Sequence, residues 1–129
     1  MSDLKQSDSI YTLRSSGEGR VLLIEIHAKY LNYDISDGLK VRLREAIQKE
    51  LDRGTRYYVL DLSKVSIVDS CGVGLMIGIH NLIREHDGLL YLTGVTQFLE
   101  KIFRMMHLDQ YFRVVESEQA VLEKLSPAT

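Results

Sequence analysis

The chain has 129 residues, which is long enough for one domain with a substantial core and too short for two. Its 16 Lys and Arg stand against 18 Asp and Glu, so composition favours neither a nucleic acid nor an anionic membrane as a direct partner. A single cysteine excludes an internal disulfide and is typical of a reducing compartment. The N-terminus lacks the apolar core of a secretory signal, and no apolar run reaches the roughly 18 residues of a membrane span. We therefore expect a cytoplasmic protein.

The first half of the chain predicts a hairpin, a strand and a helix. Ile10–Arg14 alternates weakly, and the turn-rich Ser15–Gly19 joins it to a strand over Val21–Ile26. Ser36–Leu51 predicts an amphipathic helix that ends before Gly54, a residue suited to the position after a helix. The apolar side of this helix repeats every four residues, at Leu39, Leu43, Ile47 and Leu51.

The second half alternates strands and helices. Strands are predicted at Tyr57–Leu62, Leu89–Thr93 and Tyr111–Val115, and helices over Val73–Ile83, Thr96–His107 and Ser117–Leu125. His86 to Gly88 should close the first of these helices, and Pro127 should end the last. The helix from Thr96 places on its apolar side Phe98, Leu99, Ile102, Met105 and Met106. Such alternation predicts an α/β fold, in which a mixed, mostly parallel sheet with an N-terminal hairpin packs against about four helices.

The most informative segment is the junction Asp69-Ser70-Cys71-Gly72, which lies between a buried strand and an apolar helix. A Ser or Asp oxygen there can accept hydrogen bonds from the unpaired amides of the helix N-terminus. Gly72 and Gly74 should let the helix begin close to the sheet. The hydroxyl of Ser70 is therefore predicted to lie where a ligand, a partner or a modifying enzyme can reach it.

Two chemistries compete with a regulatory role at this junction. Gly72, Gly74 and Gly78 are spaced one residue wider than a dinucleotide fingerprint, and no acid at the end of the next strand could hold a ribose. Ser70 lacks the G-x-S-x-G context of a hydrolase nucleophile, because Val68 occupies the first glycine position. These patterns predict neither a catalytic residue nor a nucleotide cofactor.

Other polar residues favour structural roles. Cys71 is predicted to be a small buried residue, and Asp61 to bond the amides of its own loop. His80 and His86 would point in different directions on a helix and are expected to be surface or partly packed side chains. Metal-ligand spacing is absent from the sequence, and the methionines Met76, Met105 and Met106 fit core positions.

The run from Val59 to Leu75, which contains Asp-Leu-Ser and then Asp-Ser-x-Gly-x-Gly, resembles the signature of STAS domains, specifically the bacterial anti-sigma factor antagonists. The resemblance continues through Gly88–Leu92, Phe98–Phe103 and Leu108–Phe112 to Glu118–Leu122. It implies a single STAS-like domain over residues 1–129, with a core at about 8–125.

The resemblance also implies a function. In that family the serine after the motif aspartate is phosphorylated by a partner that is both serine kinase and anti-sigma factor, which identifies Ser70 as the phosphoserine. Asp69, Ser70, Cys71 and Gly72 would bind this kinase, which is of the GHKL type, together with Asn32, which replaces a family aspartate. The unmodified protein would release a sigma factor by binding the kinase, and a PPM-type phosphatase would reset the phosphorylated form.

Two further interpretations stay open at this point. The chain could be a STAS subunit of a transporter ATPase or signalling complex without sigma control. It could also be a small enzyme or nucleotide binder that uses the glycine loop from Gly72 to Gly78. In the favoured interpretation the chain is not an enzyme, and the dipole and unpaired amides of the helix tolerate a phosphate on Ser70.

Overall fold

The computed structural model describes residues 3–125, which form eight strands and four helices. In chain order these are β1 (Asp3–Ser7), β2 (Tyr11–Ser16), β3 (Val21–Ile26), β4 (Tyr30–Leu31), α1 (Tyr33–Asp52), β5 (Tyr57–Asp61), β6 (Ile67–Val68), α2 (Ser70–Glu85), β7 (Leu89–Thr93), α3 (Gln97–Met105), β8 (Arg113–Val114) and α4 (Glu118–Leu125).

Six of the strands form one mixed sheet in the order β1-β2-β3-β5-β7-β8. The pairs β1–β2 and β2–β3 are antiparallel, and all pairs from β3 to β8 are parallel. The predicted mostly parallel sheet with an N-terminal hairpin is thus confirmed. A second, two-stranded sheet pairs β4 with β6 in parallel, next to the starts of α1 and α2.

Helices cover both faces of the main sheet, because side chains alternate along its strands. Leu22 and Ile24 of β3 join a large core to which α1, α2 and α3 contribute. Val21 and Leu23, which alternate with these residues, join a smaller core that contains Val121 of α4. The central strand β5 is buried on both faces, which explains its nearly continuous apolar sequence.

The structure corrects several element predictions. β1, β4 and β6 were not predicted, since two-residue strands are too short for a periodic pattern and β1 is largely polar. The first helix begins at Tyr33 and not at Ser36, because Asn32 caps it. The glycine stop at Gly54 is confirmed by its φ of 95° and by the hydrogen bond from its amide to Leu51. The predicted stop at Pro127 lies outside the described residues.

The side chains on α3 are distributed differently from the prediction. The buried stripe consists of Leu99 and Phe103, which lie four residues apart. Met105 is 76% exposed, and Phe98 and Met106 are each 45% exposed, so their assignment to the apolar core was wrong. The helix has nine residues and packs through one narrow stripe, which leaves these three side chains at the surface.

His80 is also placed differently, since it is buried and neither at the surface nor only partly packed. Its ring lies 4.3 Å from the ring of Tyr111, between centroids, and forms an edge contact with Phe112. Tyr111 and Phe112 lie in the loop before β8, and they pack over α2 and cover the imidazole of His80. Burial lowers the pKa of His80 below its usual 6.5, and the nearby Arg84 and Arg113 act in the same direction.

Candidate functional site

The predicted site lies where the N-termini of α1 and α2 meet. The parallel pairing of β4 with β6 sets Leu31 opposite Val68, so the two residues that follow, Asn32 and Asp69, lie side by side. Each of these two residues caps the helix that begins directly after it. The short two-stranded sheet therefore brings together residues that are 37 positions apart in the sequence.

The carboxylate of Asp69 bonds to both helices. Its Oδ1 accepts hydrogen bonds from the amides of Cys71 at 2.9 Å and Gly72 at 3.0 Å, which caps α2. Its Oδ2 accepts one from the amide of Tyr33 at 3.0 Å, in the first turn of α1. Because helix N-termini carry partial positive charge, a carboxylate is favoured at this position. Asp69 is thus the N-cap of α2 and a bond between the two helices.

Ser70 is the first residue of α2, and its side chain is exposed. The sequence did not decide whether Asp69 or Ser70 caps α2, and the structure shows that Asp69 does. The hydroxyl of Ser70 consequently makes no hydrogen bond to the part of the chain that the structure describes. It stands at the surface, and no structural hydrogen bond would be lost on its modification.

Most amides of the first turn of α2 are already occupied. Those of Cys71 and Gly72 bond to the Asp69 side chain, and that of Val73 bonds to the Asp69 carbonyl at 3.0 Å. These three amides are therefore not among the unpaired groups that were expected to help the helix tolerate a phosphate on Ser70. A phosphate at this position would extend into solvent or toward a bound partner.

The two glycines of the junction have different roles. A Cβ on Gly72 would lie 2.3 Å from the carbonyl oxygen of Leu31 and 2.7 Å from a methyl group of Val68, so only glycine fits there. This confirms that Gly72 lets the helix approach the small sheet. Gly74 is exposed, and a Cβ added to it would meet no atom within 4 Å, so the same role was wrongly assigned to it. Its helical position faces solvent.

Asn32 has a structural task of its own. Its Oδ1 accepts a hydrogen bond from the amide of Asp34 at 3.1 Å, and its carbonyl accepts one from the hydroxyl of Ser36 at 2.6 Å. These bonds hold the first turn of α1 next to Asp69. The structure thus places all five predicted partner-binding residues in one neighbourhood, with Asn32 as a cap.

An exposed apolar patch lies on the segments that carry the two capping residues, and the sequence did not reveal it. Tyr33 is 68% exposed, and Tyr30 and Ile67, which are paired across β4 and β6, are 48% and 49% exposed. Cys71 is also exposed, contrary to its predicted burial, since it lies on the outer side of the first turn of α2. One feature of the sequence could have indicated this patch, namely that the bulky Tyr33 directly follows the capping Asn32.

The remaining predicted site features agree with structural roles. Asp61 accepts a hydrogen bond from the amide of Ser63 at 2.9 Å, as expected for an acid that orders its own loop. Among residues 3–125, no group of three or more His, Cys, Asp or Glu side chains is arranged to hold a metal ion. Within the same residues, no helix is long and apolar enough to cross a membrane.

This arrangement agrees with a family comparison. The model of the STAS domain matches residues 16–121, which include both capping residues and the whole of α2. The chain belongs to the STAS domain family. Two relatives carry names that describe a regulatory role. An anti-sigma-B factor antagonist of Staphylococcus aureus is 30% identical over 77 residues, which are 60% of this chain and 71% of that one. An anti-sigma F factor antagonist of Paenibacillus polymyxa is 26% identical over 105 residues, 81% of this chain and 86% of that one.

Solved STAS structures share the fold. An anti-sigma-factor antagonist domain protein from Planctomyces limnophilus has a TM-score of 0.76 at 17% identity, covering 88% of this chain and 96% of that one. The Bacillus cell fate determinant SpoIIAA in its phosphorylated form has a TM-score of 0.60 at 16% identity, covering 98% of this chain and 100% of that one. Unphosphorylated SpoIIAA has a TM-score of 0.61 at 14% identity, covering 97% of each chain. At these identities the likeness establishes the fold.

Proposed function

We propose that this STAS protein is an anti-sigma factor antagonist controlled by phosphorylation of Ser70. The observation that carries the proposal is the state of the Ser70 side chain, which is exposed and unbonded while its neighbour Asp69 performs the capping. The names of the two relatives support the regulatory role, and they favour it over that of a transporter subunit. The unmodified form binds an anti-sigma factor, and the phosphorylated form does not.

The surface around Ser70 supports binding by its composition. Tyr30, Tyr33 and Ile67 are large and exposed, and aromatic side chains of this kind are enriched in protein interfaces and among their hot spots. The ammonium of Lys29 lies 5.5 Å from the ring centroid of Tyr30, which adds a cation to the patch. Asn32 and Asp69 contribute by fixing the backbone that presents these side chains.

Phosphorylation would act on the interface and leave the fold intact. A phosphoserine carries about −1.5 to −2 charges at neutral pH. Because the Asp69 carboxylate already occupies the nearby amides, the phosphate on Ser70 would stay exposed beside the apolar patch. Burying it against an apolar or acidic partner costs several kcal/mol, since unfavourable charge placement is expensive in an interface. Such a cost weakens binding by a factor of about a hundred or more.

The proposed partners follow from this role. The modifying enzyme would be a GHKL-type serine kinase that is itself the anti-sigma factor, and a PPM-type phosphatase would restore the unmodified serine. The protein would then alternate between a form that releases a sigma factor and a form that does not. We propose a cytoplasmic location, where sigma factors act, and no catalytic role for the chain itself.

The first test is phosphate incorporation. The purified protein is incubated with ATP and the GHKL-type anti-sigma kinase of the same organism, and intact mass is measured. Wild type should gain one phosphate, and Ser70→Ala should gain none. Ser66→Ala is the matched control, because Ser66 is an exposed serine four residues before Ser70, and it should be modified like wild type. Equal incorporation into wild type and Ser70→Ala would reject the assignment.

The second measurement is the affinity for the same kinase by calorimetry. Ser70→Ala should bind like the unmodified protein, and the phosphorylated protein should bind about a hundredfold more weakly. Ser70→Asp adds only one charge, so its loss should be smaller than that of the phosphorylated form. If Ser70→Asp binds as tightly as Ser70→Ala, the electrostatic explanation fails.

A further inference from the structure

A cavity of about 300 Å³ lies between the edge strand β1 and the C-terminal half of α1. Its floor is apolar and consists of Leu13 of β2 and Leu22 of β3, both buried, together with Ala46 of α1. The cavity is at the opposite end of α1 from Ser70, because that helix has 20 residues and is therefore about 30 Å long. Nothing in the proposed phosphorylation switch uses it.

A bulge in β1 directs polar side chains to this cavity. The pairing register of β1 on β2 shifts between Leu4 and Gln6, so Lys5 has no partner residue across the ladder. An inserted residue of this kind changes the direction of the side chains around it. Lys5 and Gln6, which are neighbours in sequence, consequently both line the cavity.

The rim of the cavity is positively charged. Lys5, Lys49 and Arg53 line it together with a single acid, Glu50, which is buried. Glu50 is 3.6 Å from the Lys5 ammonium and 2.9 Å from the Arg53 guanidinium, and it accepts a hydrogen bond from Thr55 at 3.3 Å. The acid is fully engaged and holds two of the cations in place. Three cations against one acid leave an excess of positive charge over an apolar floor.

The space itself results from a small residue. Ala46 lies one turn from Leu43 and Glu50 on α1, and a larger side chain there would fill the gap under β1. A second cavity of about 110 Å³ shares Gln6, Ala46 and Lys49 with the first and is also lined by Arg42 and Glu45. The two form a groove along α1 in which four cations stand against two acids. A volume near 300 Å³ lies at the lower end of the range of small-molecule sites, and this cavity combines three apolar residues with five polar or charged ones.

We propose that this groove binds a small amphipathic anion, whose carboxylate or phosphate head bears a short unbranched apolar chain. The chain lies on Leu13, Leu22 and Ala46, and the head contacts Lys49 and the outward donors of Arg53. Arginine and lysine pair well with both head groups, and the hydrogen bond from Nη1 to Glu50 holds one end of the Arg53 guanidinium at the rim of the cavity. The site is independent of Ser70 and of the proposed partner switch.

The test uses hexanoate, hexyl phosphate, neutral hexan-1-ol and inorganic phosphate as probes in amide NMR titrations of the full chain. At least one of the two hexyl anions should give saturable shifts at Gln6, Ala46 and Lys49, and comparison of the two identifies the preferred head. Hexan-1-ol and inorganic phosphate should each bind at least tenfold more weakly, since each lacks one half of the ligand. Ala46→Leu should abolish binding by filling the cavity while the protein stays folded.

Lys49→Gln should weaken binding about tenfold, the loss expected for one charged hydrogen bond. Lys101→Gln, an exposed lysine on α3, is the matched control and should bind like wild type. The proposal is overturned if neither anion gives saturable shifts at the groove, if hexan-1-ol binds as tightly as the anions, or if Lys49→Gln is without effect. It is also overturned if a folded Ala46→Leu retains wild-type affinity. Should that variant fail to fold, the Lys49→Gln and hexan-1-ol results decide.

Discussion

Replacing Asp69 by alanine should lower the free energy of unfolding by about 2–3 kcal/mol. Loss of an N-cap costs about 1 kcal/mol, and loss of hydrogen bonds to a charged acceptor costs about 1.5–3 kcal/mol, part of which water recovers at this exposed end. Three amides are affected at once, those of Cys71 and Gly72 in α2 and that of Tyr33 in α1. The variant therefore loses both the cap and the bond between the helices.

Asp69→Asn separates these two contributions. The asparagine carbonyl oxygen can still accept from the amides of Cys71 and Gly72, but its amide nitrogen cannot accept from the amide of Tyr33. Because only the bond between the helices is lost, and because Tyr33 is exposed to water, the cost should be about 1 kcal/mol. The difference between the alanine and asparagine variants then measures the cap of α2.

Urea unfolding followed by far-UV circular dichroism is the appropriate assay, since urea does not screen charge. The slope against urea should stay constant, so the shift in midpoint reports stability. Asp109→Ala removes an exposed acid elsewhere and serves as the control, with an expected change within about 0.5 kcal/mol. An Asp69→Ala variant as stable as this control would refute the proposed role of the carboxylate. If the alanine and asparagine variants lose equal amounts of stability, the cap of α2 and the hydrogen bond between the helices do not make the separate contributions proposed here.

Two further perturbations test the packing of α2. Gly72→Ala should cost about 1–3 kcal/mol because its Cβ would meet the Leu31 carbonyl, whereas Gly74→Ala should gain about 0.5–1 kcal/mol at an open helical position. Urea unfolding of both variants checks this, and effects of the same sign would contradict it. Burial lowers the pKa of His80, so the unfolded chain takes up its proton more readily than the native protein as pH falls below about 6.5. Stability should therefore decline over that range, and less steeply in His80→Phe. Unfolding is measured at a series of pH values, with the exposed His107→Asn as the control. If the stability of His80→Phe declines with pH as steeply as that of wild type, the role assigned to His80 is contradicted.

Much of the fold could be predicted because its signals are local and periodic. The hairpin from Tyr11 to Ile26 and the four helices follow from turn residues and from apolar spacing. What was missed depends on pairing between distant segments. β4 and β6 have two residues each and exist because they meet one another, and β1 is a polar edge strand that pairs only with β2. Patterns in one segment cannot show such pairing.

The candidate site also has features that the sequence predicts and features that depend on contacts between distant segments. That Ser70 begins a helix after a capping residue was predictable from the order Asp-Ser-x-Gly. Its proximity to Asn32 was not predictable from spacing, since it results from the pairing of β4 with β6. Exposure was the least predictable property, as Cys71 and Met105 show, because it depends on which helix face the neighbouring elements cover.

The division of roles between Asp69 and Ser70 would let one loop serve both stability and the proposed regulation. A serine that capped α2 would use its oxygen in the cap, and phosphorylation would then disturb the helix end. Here the carboxylate of Asp69 supplies every side-chain bond in the cap, so Ser70 is available for modification without structural cost. The same carboxylate fixes Tyr33 beside it, which keeps the exposed apolar patch in place. In the proposed switch, the added charge therefore changes what the surface can bind and not how the chain folds.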